Sequence, residues 1–283
     1  MALRDAVLAW GEQHLRALPW RQTRDPWRVL VSELMLQQTQ VPRVVPAYRR
    51  FLERFPTAPV CAAAPQGEVI EAWQGLGYNR RARSLHRIAQ AVTERHDGTV
   101  PNDLDALEAL PGIGPYTARA LTAFAFEGDV GVVDVNVARI LSRVDGSPMG
   151  RLKMQARADE LVPDGRGWLW NQVMLDLGAT VCGRRTQRCS ECPIAGLCAW
   201  RQGGGPDPSL QAAIRTRPQS RFEGSDRQGR ARLLRALLRG PVADEDLAGV
   251  CGWPGDEDRA ARVAAALVGD GLATRSDKGL LLA

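Results

Sequence analysis

LPGIGPYTA occupies residues 110–118 of a 283-residue chain, and its reading decides the fold. An apolar, helix-like stretch, DLDALEAL, precedes it, and another, RALTAFAF, follows. Gly112 and Gly114 permit backbone conformations that a side chain forbids, and they let another backbone come close. Pro111 and Pro115 stiffen the turn where amide donors are dispensable, and Pro115 suits the first position of a helix. Tyr116, Thr117 and Ala118 then fall in that helix's first turn, where outward amides and the helix dipole favour a phosphate. Such a contact positions a nucleic-acid backbone without reading bases. The same residues also read as a tight turn between two core helices.

Outward from this turn the pattern is helical almost throughout. Asp25 can cap a helix that begins at Pro26 and runs through WRVLVSELML. Further helices are expected from Pro42 to about Phe55, over GEVIEAWQ up to Gly75-Leu76-Gly77, and over YNRRARSLHRIAQAVTERH as far as Gly98. Asn102 can cap LDALEAL, another helix should begin near Asp134, and two more fit residues 151–162 and 168–181. No strand is expected before residue 200. From Arg201 the texture turns to Gly, Pro, Ser, Gln and Arg, with seven Lys/Arg against three Asp/Glu over residues 200–232, which reads as a basic linker. The C-terminal residues spell three helices and a short strand–turn–strand, the order of a winged helix. Six basic and eight acidic residues over 233–283 do not favour DNA there, and a packing or protein-contact role is equally open.

A net charge of +5 and a pI near 9.1 favour an anionic partner. No run of about 18 apolar residues occurs, so no membrane span is expected. The N-terminus carries acids and lacks a signal-type apolar core, so a cytoplasmic location is expected. Cys182, Cys189, Cys192 and Cys198 cluster as C-x6-C-x2-C-x5-C, which points to metal rather than disulfides. Four soft thiolates suit zinc or an iron–sulfur cluster, although zinc sites more often have two close pairs and here only Cys189 and Cys192 form one. The six-residue loop between Cys182 and Cys189 carries Arg184, Arg185 and Arg188.

Two acids stand out. Glu33 lies among Leu30, Val31, Leu34 and Met35, so it is either a surface residue or a desolvated carboxyl able to act as an acid. Asp134 sits within VVDVNV at a helix start, where it can serve as an N-cap and is expected to stay ionised. A protonated and an ionised carboxyl together are what cleavage of a glycosidic bond requires: one protonates the leaving group, the other stabilises the sugar cation.

The opening turn resembles the helix-hairpin-helix of base-excision DNA glycosylases, and the cysteine spacing resembles the cluster loop of the endonuclease III superfamily, which implies a [4Fe–4S] cluster. SELMLQQTQ, GLGYNRRAR, LPGIGPYTA, VVDVNVARIL, MLDLGATVC and the Cys loop stand in the order and near the spacing of the adenine DNA glycosylase family, over residues 10–200. That resemblance implies an all-α, two-lobed fold. Residues 20–130 would form a six-helix lobe with the hairpin, and residues 1–19 with 131–200 a cluster lobe. Residues 201–229 would be the basic linker and 230–283 the winged-helix-like unit.

By the same resemblance, Glu33 matches the acid that protonates adenine, Asp134 the carboxylate that stabilises the sugar cation, Asn136 a residue that orients the site and Tyr116 a catalytic tyrosine. Gln38 and Thr39 match residues that enter the double helix, and Tyr78 an aromatic wedge. Gly112, Gly114, Arg80, Arg81, Arg83, Arg184 and Arg185 are expected on the DNA backbone. The implied substrate is double-stranded DNA with adenine opposite 8-oxoguanine or guanine, bound by a monomer. Lyase relatives place a Schiff-base lysine where Tyr116 stands, so base release without strand cleavage is expected. The chain departs from the family in lacking a recognisable nudix-like C-terminal domain and in having Asn79 where a second aromatic is common. Two rivals stand beside this reading: a thymine- or other mismatch-specific glycosylase of the same superfamily, and a redox-responsive DNA-binding regulator without enzymatic activity.

Overall fold

The computed structural model describes residues 2–215 and 220–283; residues 216–219, within the expected linker, lie outside the described set. The helices, in chain order, are α1 (Ala2–His14), α2 (Pro26–Leu36), α3 (Val41–Arg54), α4 (Ala58–Ala63), α5 (Gln66–Ala72), α6 (Arg80–Arg95), α7 (Leu104–Glu108) and α8 (Pro115–Phe124). They continue with α9 (Val135–Val144), α10 (Arg151–Leu161), α11 (Gly167–Thr180), α12 (Ala199–Gly203), α13 (Asp226–Leu237), α14 (Leu247–Cys251) and α15 (Glu257–Gly269). The strands β1 (Ala273–Ser276) and β2 (Gly279–Leu282) pair antiparallel, with Ala273 opposite Leu282. Among the described residues no helix is long and apolar enough to cross a membrane.

Packing divides the chain into two units. One comprises Met1–Leu30, Pro101–Ala109 and Ile113–Arg217; the other comprises Val31–Val100, Leu110–Gly112 and Pro218–Ala283. The boundaries expected from the sequence fall elsewhere: α7 and α8 group with the cysteine loop, since α8 packs on α11, and α13–α15 group with α3–α6.

In the first unit, α9, α10 and α11 enclose a core of Val137, Ile140, Leu141, Met154, Trp170, Val173 and Leu177, closed by Val7 of α1. The crossing of α1 over α11 depends on Gly11, where a Cβ would meet Val173 Cγ2 at 2.2 Å. Below the crossing, fully buried Asp176 accepts from Arg21 Nη1 at 2.6 Å, Arg21 Nη2 at 2.9 Å and Arg16 Nε at 2.7 Å. Burial pushes this carboxyl up, but the two guanidinium groups outweigh it and hold the group below its ordinary value.

The stretch expected as a linker is structured in its first half. Asp207 caps a 3-10 turn at Pro208–Leu210 and grips Arg143 at 2.6 Å, while Ala212 is buried in the first unit's core. Its last residues already belong to α13.

In the second unit, α6 turns Ala82, Leu85, Ala89 and Val92 inward at helical spacing, against α4 and α5. The C-terminal helices surround Leu233, Leu234, Val263 and Leu267, and Val242 adds a single bridge to Leu280 beside the hairpin. Three helices closed by a small sheet is the order of a winged helix. This part seats on the helices before it. Gln66 at the start of α5 donates to Gly271 O at 3.0 Å and Ala283 O at 3.2 Å, and Arg83 of α6 donates to Asp270 O at 2.8 Å.

Candidate active site

The hairpin begins with α7, capped by Asp103 rather than Asn102: Ala106 N donates to Asp103 Oδ1 at 2.8 Å. A residue one position nearer the helix has the reach that an N-cap needs. Gly112 has φ of +90°, the left-handed region where a side chain is strained. Gly114 caps α8 and Pro115 opens it. The Ala118 amide is already spent on Gly114 O at 3.0 Å, so the amide set in this first turn is smaller than the sequence suggests. Tyr116 is half-buried on the same turn.

Asp134 is the N-cap of α9. Its Oδ1 accepts from Asn136 N at 2.7 Å and Val137 N at 2.8 Å, and its Oδ2 from Asn136 Nδ2 at 2.7 Å. Burial pushes this carboxyl above its ordinary value, while those three N–H groups and the Arg139 charge pull it down. Asp134 is thus the N-cap that the sequence offers, with desolvation acting on its proton against the pull of the helix start.

Asn136 is fixed in turn, its Oδ1 accepting from Arg139 Nη2 at 2.9 Å. The same guanidinium reaches Gly178 O at 2.7 Å and, through Nε, Cys182 O at 2.7 Å. A chain of hydrogen bonds thus runs from Asp134 to the backbone of the first cysteine. Gly178 makes room for it, since a Cβ there would meet Asn136 Cβ at 2.6 Å.

Cys182, Cys189, Cys192 and Cys198 line one hollow. One turn along α9 from Arg139, Arg143 donates to Cys182 Sγ at 3.2 Å and stacks 4.7 Å from the Trp200 ring centre. Among the described residues no three His, Cys, Asp or Glu side chains converge closely enough to share one metal ion. Four thiols around a hollow rather than about a point fit a multi-atom cluster better than a single zinc ion. Arg184 and Arg185 stand exposed on the same loop.

In the second unit Glu33 is 7 % exposed, with Val31, Leu34 and Met35 buried beside it, so the desolvated reading replaces the surface one. Gln38 and Tyr78 are exposed, and both have left-handed backbones, with φ of 56° and 49°. Thr39 is buried at the first of these bends. Tyr78 is thus an accessible aromatic, 40 % exposed. Arg81 is buried beneath the two bends. Arg80 is largely exposed and lies 3.1 Å from Asp270, and Arg83 bonds the Asp270 carbonyl. Of the five arginines expected on DNA, Arg80 and Arg83 thus face the C-terminal helices and Arg81 faces the protein interior.

A curated relative, an adenine DNA glycosylase of Mycolicibacterium smegmatis, is 41 % identical over 96 % of this chain and 93 % of its own length. The chain belongs to the adenine DNA glycosylase family. The match is long enough to include the C-terminal helices. A human adenine DNA glycosylase is 41 % identical over 71 % of this chain and 40 % of its own. The model of the HhH-GPD superfamily of base excision DNA repair proteins matches residues 31–164. Among solved structures, a thermostable thymine-DNA glycosylase superposes with a TM-score of 0.68 at 28 % identity, covering 71 % of this chain and 95 % of its own.

Two residues of this family member escaped the sequence reading. Arg139 and Arg143 stand four apart in VARILSRV, among apolar neighbours on a helix that begins with the candidate carboxylate. Basic residues on a buried face, between an acid and a cysteine loop, were the available signal.

Proposed function

We propose that the chain excises adenine from double-stranded DNA where it is mispaired with 8-oxoguanine or guanine, by breaking the N-glycosidic bond and leaving an abasic site. The observation that carries this reading is Asp134, a half-buried carboxyl held at a helix start by three N–H groups, in a chain so similar to adenine glycosylases over nearly its whole length. Glu33 protonates the adenine ring so that it leaves as a neutral base. Asp134, ionised in the reacting complex, lies against the sugar as positive charge develops there. Asn136 keeps that carboxylate in one orientation, and Tyr116 contributes from the hairpin helix. Extrusion of the adenine costs a few kcal/mol, less at a mispair than in a matched duplex. Gln38, Thr39 and Tyr78 occupy the place it leaves. The hairpin and the exposed Arg184 and Arg185 hold phosphates.

The cysteine loop would carry a [4Fe–4S] cluster on Cys182, Cys189, Cys192 and Cys198, which would supply cross-linking of the loop rather than a reacting group. Arg139, bonded to the Cys182 carbonyl, ties that loop to Asn136.

The deciding measurement is single-turnover base release from A:8-oxoguanine, A:G and T:G duplexes. Release of adenine from the first two, its loss in Glu33→Gln and Asp134→Asn, and no borohydride-trapped adduct are expected. The likeness to a thymine-DNA glycosylase structure favours a second reading, which preferential release of thymine from T:G would select. Binding with no base release from any duplex would select the redox-responsive regulator.

A further inference from the structure

Arg81 is the second residue of α6, and its side chain points away from solvent. Nη1 donates to Leu34 O at 2.8 Å and Met35 O at 2.9 Å, two carbonyls in the last turn of α2, and also to Gln37 O. Nη2 donates to Thr39 Oγ1 at 3.0 Å and Gly77 O at 3.0 Å, and reaches Leu76 O at 3.4 Å; Nε reaches Tyr78 O at 3.4 Å. One guanidinium therefore closes the C-terminal end of the helix bearing Glu33, the bend at 37–39 and the bend at 76–78.

These are also the bends with strained backbone. Gln38 and Tyr78 are non-glycine residues in the left-handed region, which persists only where the surroundings over-determine it. Every hydrogen-bond acceptor named above is a carbonyl or a hydroxyl. The charge is otherwise met by the faces of Trp73 and Tyr78, with ring centres at 5.5 and 5.6 Å, and burial pushes its pKa down to about 10. A buried cation without a carboxylate among these partners is costly for the fold, and its hydrogen bonds join the core end of α2 to two bends that carry exposed residues.

We propose that Arg81 is a positioning residue that locks the Gln38 and Tyr78 bends into one preformed wedge, through its planar fork of donors rather than its charge. The wedge takes its use from the glycosylase reading above, on which this inference rests. A lysine keeps the charge but has a single donor centre and cannot span three segments.

The test compares wild type, Arg81→Lys and Thr39→Val, the last removing the hydroxyl that accepts from Arg81 and itself reaches the Gln37 and Leu76 carbonyls. Three quantities are read: affinity for an undamaged duplex, the single-turnover rate of adenine release, and the fluorescence rise of 2-aminopurine placed beside the mispair. Phosphate contacts are left alone, so undamaged-duplex affinity should stay within about twofold. Release rate and fluorescence rise should both fall about tenfold or more in Arg81→Lys and less in Thr39→Val, as expected when a pre-set geometry is lost. Wild-type release and fluorescence in Arg81→Lys would overturn the proposal. If Arg81→Lys does not fold, as judged by circular dichroism, an unchanged Thr39→Val overturns it equally. A wild-type protein that releases no adenine would sink the proposed activity instead, and the fluorescence comparison would still decide the role of Arg81.

Discussion

At Asp134, stability and function pull in opposite directions. Burial raises its folded pKa, so the native state holds a proton more tightly than the unfolded chain does. The sign follows from linkage: stability falls as pH rises from the ordinary carboxylate range, roughly 3.9, through the folded value, and stays lowered at neutral pH. Asp134→Asn removes that cost and keeps an N-cap, so it should melt at or above the wild-type temperature at pH 7 while losing base release. Differential scanning calorimetry beside a release assay checks both halves. The active form needs the carboxylate, so the acid limb of the single-turnover rate should lie above the ordinary aspartate range. The Asp134 caps were legible in VVDVNV because capping is local chemistry. The proton affinity was not, because desolvation depends on everything that packs around the group.

Between elements, α9 and α11 meet at Gly178, where the backbone of one helix touches the first turn of the other. Gly178→Ala would press a methyl group onto Asn136, and overpacking of this kind costs about 1–3 kcal/mol. Because Asn136 orients Asp134, the expected loss of release rate exceeds what the lowered melting temperature explains at the assay temperature. Single-turnover rates measured well below melting separate the two effects. MLDLGATVC marked this region by resemblance, but the reason for its glycine lies across a helix contact. The helix starts at Pro26, Pro115 and Val135 were readable from Asp25, from Pro115 itself and from Asp134. The cap of α7 was placed one residue early because Asn102 and Asp103 carry nearly the same local signal.

Across the whole molecule, charge is distributed differently from the way GLGYNRRAR suggests. The three arginines read as one basic run, yet Arg80 and Arg83 engage Asp270 while Arg81 turns inward. No local pattern could separate them, since Asp270 lies 187 positions from Arg83. Arg230 also bonds the Asp270 carboxylate. Asp270→Asn should free Arg80 for phosphate. Affinity for undamaged duplex should then rise, and its logarithmic dependence on salt should steepen by about one, read by fluorescence anisotropy across a salt series. Arg230 and Asp270 are mostly buried at their contact, so losing the pair should also lower the melting temperature, which calorimetry reads beside the binding. The clasp at Asp270 also makes the C-terminal helices a counter-charge for the start of α6, so a variant that unseats them should hold any duplex more tightly and distinguish a mispair less well.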